Sequence, residues 1–237
     1  METISTTSSS ISQKYEPIII MPGASSKNRI PGNYQDIPSK LKNKNNINLL
    51  HACKLLKSYY NEEEGINALV LDGKEMRTTR TLERLGKKLK SINIVEYNNQ
   101  TYELMLNLKR PKVHCFNCHL KEYIDNLNDP NINVAYFDTM SNFLSTEKTF
   151  GGDIIINEFL RQNVCDEIIL GATFCLRNPA SQSYETEQSK ILLLLDKIFI
   201  INGFKYKSLI PRKNLRYKGQ KAENKSMIFV LFYLKRE

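Results

Sequence analysis

Short apolar runs that alternate with helix-like segments constrain this chain more than any other feature of its sequence. Four clear runs cover residues 68–71, 92–95, 134–137 and 167–174, and each has the length of a β-strand. Segments with apolar residues at helical spacing separate them. Because parallel strands need a long connection, most often a helix, this alternation predicts an α/β fold built on a parallel sheet.

The order of the elements makes this prediction more specific. A helix over residues 47–62 precedes five strand–helix alternations, and the chain closes with two strands that have no helix between them. A direct connection favours an antiparallel pair. We therefore predict a doubly wound, mostly parallel, seven-stranded sheet with helices on both faces and an antiparallel last strand. The predicted strands cover residues 68–71, 92–95, 112–116, 134–137, 167–174, 206–210 and 227–234, and the later helices cover residues 78–89, 100–106, 120–127, 153–162 and 185–202.

Residues 1–46 are predicted to form a flexible polar N-terminal tail ahead of a domain that covers residues 47–237. Ser and Thr dominate residues 1–13, and prolines and glycines interrupt much of the rest, so this segment can bury little apolar surface. The start lacks the apolar core of a signal peptide, and no run approaches the ~18 apolar residues of a membrane span. The five cysteines show no spacing typical of a disulfide framework, which favours a reducing compartment inside the cell. We expect an intracellular, cytoplasmic protein with no membrane partner.

An excess of basic residues points to a polyanionic partner. The chain has 34 Lys and Arg against 25 Asp and Glu, a formal net charge of +9. Nucleic acid is the first candidate partner, and solubility alone is the alternative explanation. In residues 205–225, Tyr206 and Tyr217 lie among cations in a pattern suited to bases and phosphates, although a solvated hairpin loop would have the same composition. The candidate substrate-binding cations of this segment are Arg212, Lys213 and Arg216.

Acidic residues directly follow three of the predicted strands. Asp72 follows the first strand, Glu96 the second and Asp138 the fourth. Open α/β sheets bind ligands at the carboxyl ends of their strands, and an acid at the end of the second strand can accept hydrogen bonds from a ribose diol. The three carboxylates are therefore candidate ligand-binding groups. A solvated acid at a strand end is the alternative interpretation for Glu96 and Asp138. For Asp72 the alternative is an ordinary strand–turn–helix connection in which a threonine caps the helix.

Over residues 47–237 the chain resembles the class I S-adenosylmethionine-dependent methyltransferases. The resemblance rests on the element order and on the acids at the strand ends. Residues 69–79, LVLDGKEMRTT, stand where this family has an acid followed by a glycine-rich turn. The resemblance implies S-adenosylmethionine as the cofactor. It also implies that Asp138, at the rim facing the methyl donor and the acceptor, is the candidate catalytic residue. The implied cofactor contacts are Asp72 and Gly73, Glu96 on the ribose, Tyr97 beside the adenine, and Asn117 or Cys118 near the base.

The sequence departs from the family pattern at two places. Residues 74–76, Lys-Glu-Met, replace the usual glycines with side chains that could fill the space of the cofactor, although Thr78 and Thr79 are small residues suited to the start of a helix. Asp138 lacks the following Pro-Pro-aromatic sequence of amino-methylating nucleic-acid enzymes. After the fifth strand, Arg177 could contact a phosphate of the acceptor or be an ordinary surface cation.

These features predict a methyltransferase that acts on nucleic acid, with RNA favoured over DNA. The missing glycines favour an alternative, a catalytically inactive methyltransferase-like protein that binds nucleic acid or has a structural role. A third option is an enzyme that uses a nicotinamide nucleotide, which the absence of G-x-G-x-x-G disfavours.

One short motif suggests chemistry that the rest of the chain does not support. Residues 114–119, HCFNCH, contain the C-x-x-C-H pattern of haem attachment, but no export signal accompanies it. A zinc site usually needs two separated ligand pairs, and the other cysteines are scattered singly. We therefore predict no metal site and interpret Cys115 and Cys118 as core residues at a strand end.

Overall fold

The computed structural model describes residues 39–61, 63–127, 130–139, 143, 151–176, 183–218 and 226–237. Strands and helices alternate through most of these residues. The helices are α1 (Ser39–Ala52), α2 (Arg77–Leu82), α3 (Asn99–Leu106), α4 (Leu120–Asp125), α5 (Gly152–Gln162) and α6 (Tyr184–Ile201). The strands are β1 (Ile66–Val70), β2 (Leu89–Val95), β3 (Val113–Phe116), β4 (Val134–Asp138), β5 (Glu167–Leu176), β6 (Phe204–Ser208), β7 (Arg216–Lys218) and β8 (Ser226–Arg236).

All eight strands belong to one sheet, whose main path runs β3-β2-β1-β4-β5-β8-β6. The pairs from β3 to β5 are parallel, whereas β8 is antiparallel to β5, β6 and β7. This arrangement confirms the predicted mostly parallel sheet with an antiparallel last strand. Because a ligand crevice forms at the carboxyl ends of parallel strands, the ends of β1, β2, β3 and β4 define the edge of interest.

Helices cover both faces of the sheet, as predicted. Buried residues of α1, α2 and α3 pack on one face, with Ala68 and Val70 of β1 beneath them. Buried residues of α4, α5 and α6 pack on the other face, over side chains such as Phe137 and Leu170. The central strands are apolar on both sides because they are buried on both sides, and this is why their sequences are continuous apolar runs.

The opposite, amino-terminal edge of the central strands is fixed by buried asparagines. The Oδ1 of Asn133 accepts a hydrogen bond from the backbone N–H of Asn67 at 2.9 Å. Its Nδ2 donates to Ser58 Oγ at 3.0 Å and to the carbonyl of Gly65 at 3.2 Å. Buried amides are tolerated when all of their polar atoms are bonded in this way. The network therefore fixes where β1 and β4 start and, through strand length, where they end.

The structure differs from the predicted elements at the start of the domain. Helix α1 begins at Ser39 rather than at residue 47, and its Asn45 and Asn46 are buried. Asn46 accepts a hydrogen bond from Thr78 Oγ1 at 3.3 Å, a tertiary contact that the polar sequence does not reveal. The rest of the predicted tail, residues 1–38, lies outside the described residues. No helix in the described part of the chain combines the length and the apolar character needed to cross a bilayer.

Strand β7 is an addition to the seven strands that were predicted. It pairs with β8 through Arg216 and Ile228, on the edge of β8 that β6 also occupies. The three residues of β7 form a strand because β8 is longer than β6 and leaves backbone groups along that edge to be paired. A polar sequence of three residues carries too little periodicity to predict such a strand.

Candidate functional site

The three acids predicted to mark a binding edge lie side by side at the carboxyl end of the sheet. Val70 of β1 is level with Ile94 of β2 and with Tyr136 of β4. Asp72, Glu96 and Asp138 each follow these residues by two positions, and neighbouring strands lie about 4.8 Å apart. The sheet register therefore brings the three carboxyl groups into one row across β2, β1 and β4.

Asp72 is held by the start of the following helix. Its Oδ2 accepts hydrogen bonds from the backbone N–H of Thr79 at 2.8 Å and from Thr79 Oγ1 at 2.9 Å. Its Oδ1 accepts from the backbone N–H of Gly73 at 3.1 Å. Burial nevertheless raises the pKa of Asp72 to about 6, and the negative charge of Asp138 contributes to the rise. The protein therefore keeps an anion here in spite of a cost in desolvation.

Asp138 ends β4 directly beside Asp72. It is partly exposed and pairs across the sheet with Thr173 of β5. The next residue, Thr139, donates its hydroxyl to the carbonyl of Thr173 at 2.9 Å and fixes the chain as it leaves the strand. Two carboxylates at one level on adjacent strands repel each other, so this pair attracts a cationic group.

Glu96 is the third carboxylate of the row and lies on the side of Asp72 opposite to Asp138. Its Oε1 accepts a hydrogen bond from the backbone N–H of Asn98 at 2.7 Å. Partial burial raises its pKa, and the hydrogen bonds from the N–H groups of Asn98 and Tyr97 oppose this effect. A partly exposed carboxylate that is fixed in this way can accept hydrogen bonds from a diol.

Aromatic and amide groups extend this edge beyond β2. Tyr97 is 67% exposed and stacks on His119 with ring centroids 5.2 Å apart and planes 11° apart. Asn117 donates from its Nδ2 to Asn99 Oδ1 at 2.7 Å. Cys118 is partly buried and packs against the core on the α4–α6 face. The exposed tyrosine is thus available to a planar ligand next to Glu96.

Known proteins resemble this chain in structure, although no protein-family model and no curated protein matches its sequence. One similar structure is a Pyrococcus horikoshii protein described as a transferase, with 12% identity and a TM-score of 0.50. The match covers 82% of this chain but only 63% of that one, less than two thirds of its length. Another is M. jannaschii TYW2 in complex with AdoMet, with 12% identity, a TM-score of 0.50, and coverage of 82% of this chain and 77% of that one.

The chain has the fold of the class I methyltransferases. Strand order, the antiparallel β8 and the helices on both faces all agree with this fold. At this level of identity the likeness is one of fold, and a fold of this kind hosts many chemistries. The function must therefore be inferred from the residues at the carboxyl edge.

The turn after β1 differs from the glycine-rich turn of the methyltransferase fold. Met76 adopts a left-handed conformation, with φ of 49°, and its side chain is 1% exposed within the α1–α3 core. Lys74 and Glu75 are exposed. A Cβ at Gly73 would have only Glu75 Oε2 within contact distance, at 3.7 Å, so open space surrounds this backbone position.

Neither Thr78 nor Thr79, which the sequence offered for the start of the helix after β1, is its N-cap. Residue Met76 precedes α2 as its N-cap and makes no side-chain cap. Thr78 and Thr79 are buried inside the helix, and Thr79 donates to Asp72 instead. The sequence reveals an acid and a threonine seven positions apart, but only the tight turn at Gly73 brings them together. The stacking of His119 on Tyr97 was also missed, since nothing in the spacing of these residues indicates it.

The basic candidates occupy another part of the methyltransferase fold. Arg212 is exposed beyond the end of β6 and donates to Ser189 Oγ of α6 at 2.7 Å. Lys213 lies in the same short helical turn, and Arg216 begins β7. The strand order places this basic segment three strands from β4 on the same sheet. Arg177 lies outside the described residues.

The cysteine motif does not form a metal site in the described structure. Cys115 packs toward the α1–α3 face, whereas Cys118 packs toward the α4–α6 face, so their thiols diverge. Among the described residues, no group of three or more His, Cys, Asp or Glu side chains could hold a metal ion. Both cysteines pack against the hydrophobic core, as the sequence indicated.

Proposed function

We propose that this chain is an S-adenosylmethionine-dependent methyltransferase that acts on nucleic acid, with RNA favoured over DNA. The observation that carries the proposal is the row of three carboxylates, Glu96, Asp72 and Asp138, on adjacent strands at the carboxyl edge. In open α/β sheets this edge is where ligands bind. The similar TYW2 structure contains AdoMet, which supports the choice of cofactor.

The residues present at this edge fit a donor of this kind. S-adenosylmethionine is a cation with a ribose diol and a planar base, and when bound it supplies an activated methyl group. Glu96 offers a carboxylate to the diol, and Tyr97 offers an exposed ring beside it. The carboxylate of Asp72 lies one strand away, and its burial leaves the negative charge poorly solvated. Gly73 has no side chain, so the backbone at this position stays accessible.

The contribution of the chain to catalysis is mainly to position the reactants. Methyl transfer is an in-line displacement, so alignment of two reactants supplies much of the rate enhancement. Asp138 lies next to Asp72 and accepts a hydrogen bond from the acceptor, which orients the attacking atom. Arg212, Lys213, Arg216 and Arg177 hold the phosphates of the nucleic acid, and the net charge of +9 favours such a partner.

Donor binding should depend on pH because Asp72 titrates with a pKa of about 6. Above this value the carboxylate is ionised and attracts a cation, and below it the attraction is lost. We expect the affinity for S-adenosylmethionine to be constant above about pH 7 and to fall as the pH drops through 6, by up to about tenfold per unit. Calorimetric titrations across this range would measure the effect. An affinity that stays constant from neutral pH to about pH 5 would contradict a role for Asp72 in binding.

One observation favours an alternative function. Asp72 already accepts three hydrogen bonds from Thr79 and Gly73, which is also what a purely structural acid would do. Together with the missing glycines, this arrangement suits an inactive methyltransferase fold that binds nucleic acid. RNA binding that weakens steeply with salt, combined with no binding of S-adenosylmethionine or S-adenosylhomocysteine, would establish that alternative.

A further inference from the structure

A groove of about 330 Å³ lies between α6 and the β6 edge of the sheet, away from the carboxylate row. Its volume is at the lower end of the range for small-ligand sites. Phe199, Tyr206 and Phe232 form an aromatic cluster in its wall, with ring centroids 5.0 to 5.7 Å apart. Tyr206 is 42% exposed, so part of this aromatic surface faces solvent.

The alternation of β6 determines which side chains reach the groove. Tyr206 and Ser208 line it, whereas Lys205 and Lys207 do not and occupy the alternate positions of the strand. The groove is also lined by the carboxylate of Asp196 of α6. Burial raises the pKa of Tyr206, and the nearby Asp196 carboxylate adds to the rise. The groove therefore offers the exposed ring of Tyr206 together with the carboxylate of Asp196.

The connection from β6 to β7 closes one end of the groove, and backbone hydrogen bonds to β8 fix its position. Leu209 N–H donates to the Leu231 carbonyl at 2.8 Å, and Phe229 N–H donates to the Leu215 carbonyl at 2.8 Å. Arg212 lies on this connection and lines the groove, tied to α6 through Ser189. A cation is thus fixed next to an aromatic site before any ligand arrives.

We propose that this groove receives one unstacked base of a single-stranded RNA, with Arg212 on the adjoining phosphate. The exposed ring of Tyr206 suits any base, because every base has a flat π-face. Asp196 would repel a phosphate but accepts hydrogen bonds from base amino groups, so the base enters the groove and the phosphate stays beside Arg212. The sequence on both sides of Arg212 is rich in Lys and Arg, a composition that favours a polyanionic partner such as RNA. This inference rests on the proposed nucleic-acid acceptor and adds a site that holds it away from the reacting atoms.

The test uses a fluorescein-labelled single-stranded RNA of mixed sequence and roughly ten nucleotides, titrated with the full chain at low ionic strength. Fluorescence anisotropy would report binding to the wild type and to Tyr206→Leu, Arg212→Gln and Lys207→Gln. The last two variants each lose one positive charge, but only Arg212 lines the groove. Tyr206→Leu keeps apolar volume while it removes the ring and the hydroxyl. We expect Tyr206→Leu to weaken binding about tenfold or more, and Arg212→Gln to weaken it several-fold more than Lys207→Gln.

The outcomes separate this site from the function on which it rests. If the wild type binds the RNA and the arginine and lysine variants lose affinity equally, the groove is not the site, while the proposed nucleic-acid acceptor stands. If the wild type does not bind the RNA, both the groove and that acceptor are wrong. Circular dichroism checks the fold of each variant, and the comparison of Arg212→Gln with Lys207→Gln decides the question if Tyr206→Leu does not fold. Titration of S-adenosylhomocysteine should give the same affinity in all folded variants, because the groove lies away from the donor site.

Discussion

Replacing Asp72 by asparagine should stabilise the protein at neutral pH and weaken donor binding at the same time. The folded state raises the pKa of this carboxyl from 3.8 to about 6, so ionised Asp72 destabilises the fold at neutral pH. The penalty is absent below about pH 4, grows between the two pKa values and is complete above about pH 6. The asparagine side chain carries no charge and can still accept from Thr79, but it loses the hydrogen bond from the Gly73 N–H. We therefore expect a net gain of about 1 to 2 kcal/mol in the free energy of unfolding.

This combination of effects distinguishes a binding residue from a structural one. Urea unfolding from neutral pH to about pH 4 would measure stability, and the advantage of Asp72→Asn should vanish toward the acidic end. Thr79→Val is a matched control, since it removes one hydrogen bond to the carboxylate and should lower stability. Affinity for S-adenosylmethionine should fall about tenfold or more in Asp72→Asn. A less stable Asp72→Asn protein with unchanged donor affinity would show that Asp72 only supports the turn.

Replacing Gly152 by alanine should destabilise the domain by about 3 kcal/mol through overpacking. A Cβ at this position would lie 2.3 Å from the Cε1 of Phe174, a distance that real Cβ contacts do not show. Phe174 is completely buried in β5 and packs edge-on against Phe143, so its ring has little room to move. Gly152 begins α5, and the close approach of this helix to β5 requires a residue without a side chain.

Gly73→Ala provides the matched control for this prediction. A Cβ at Gly73 would meet only Glu75 Oε2, at an ordinary contact distance of 3.7 Å, and Gly73 is not among the glycines with positive φ. We expect its free energy of unfolding to stay within about 0.5 kcal/mol of the wild-type value. Equal stability of Gly152→Ala and the wild type in urea unfolding would show that α5 does not pack on Phe174 as described.

The architecture was predictable because the central strands are buried on both faces. A run such as residues 68–71 or 134–137 is apolar throughout only when helices cover both sides, so alternating elements indicate the layers. The start of α1 was not predictable, because buried Asn45 and Asn46 look like solvent-exposed polar residues in the sequence. Strand β7 was missed because its pairing depends on the length of β8 rather than on its own residues.

The candidate site was predictable in outline and not in detail. The position of each acid directly after a strand indicated a common edge, and the structure places Asp72, Glu96 and Asp138 there. The sheet register that makes them level could not be inferred, since it depends on which strands pair and where they start. The hydrogen bonds from Thr79 to Asp72 were equally hidden, because they depend on the backbone path through the turn at Gly73.

Calorimetric titration of the full chain with S-adenosylhomocysteine tests the central claim most directly. Glu96→Ala is the test variant, since Glu96 is partly exposed and its loss should leave the core intact. We predict saturable binding in the micromolar range for the wild type, weakened about tenfold or more by Glu96→Ala. Absence of binding heat in the folded wild type at high micromolar concentrations would contradict the claim that this row of carboxylates holds a methyl donor.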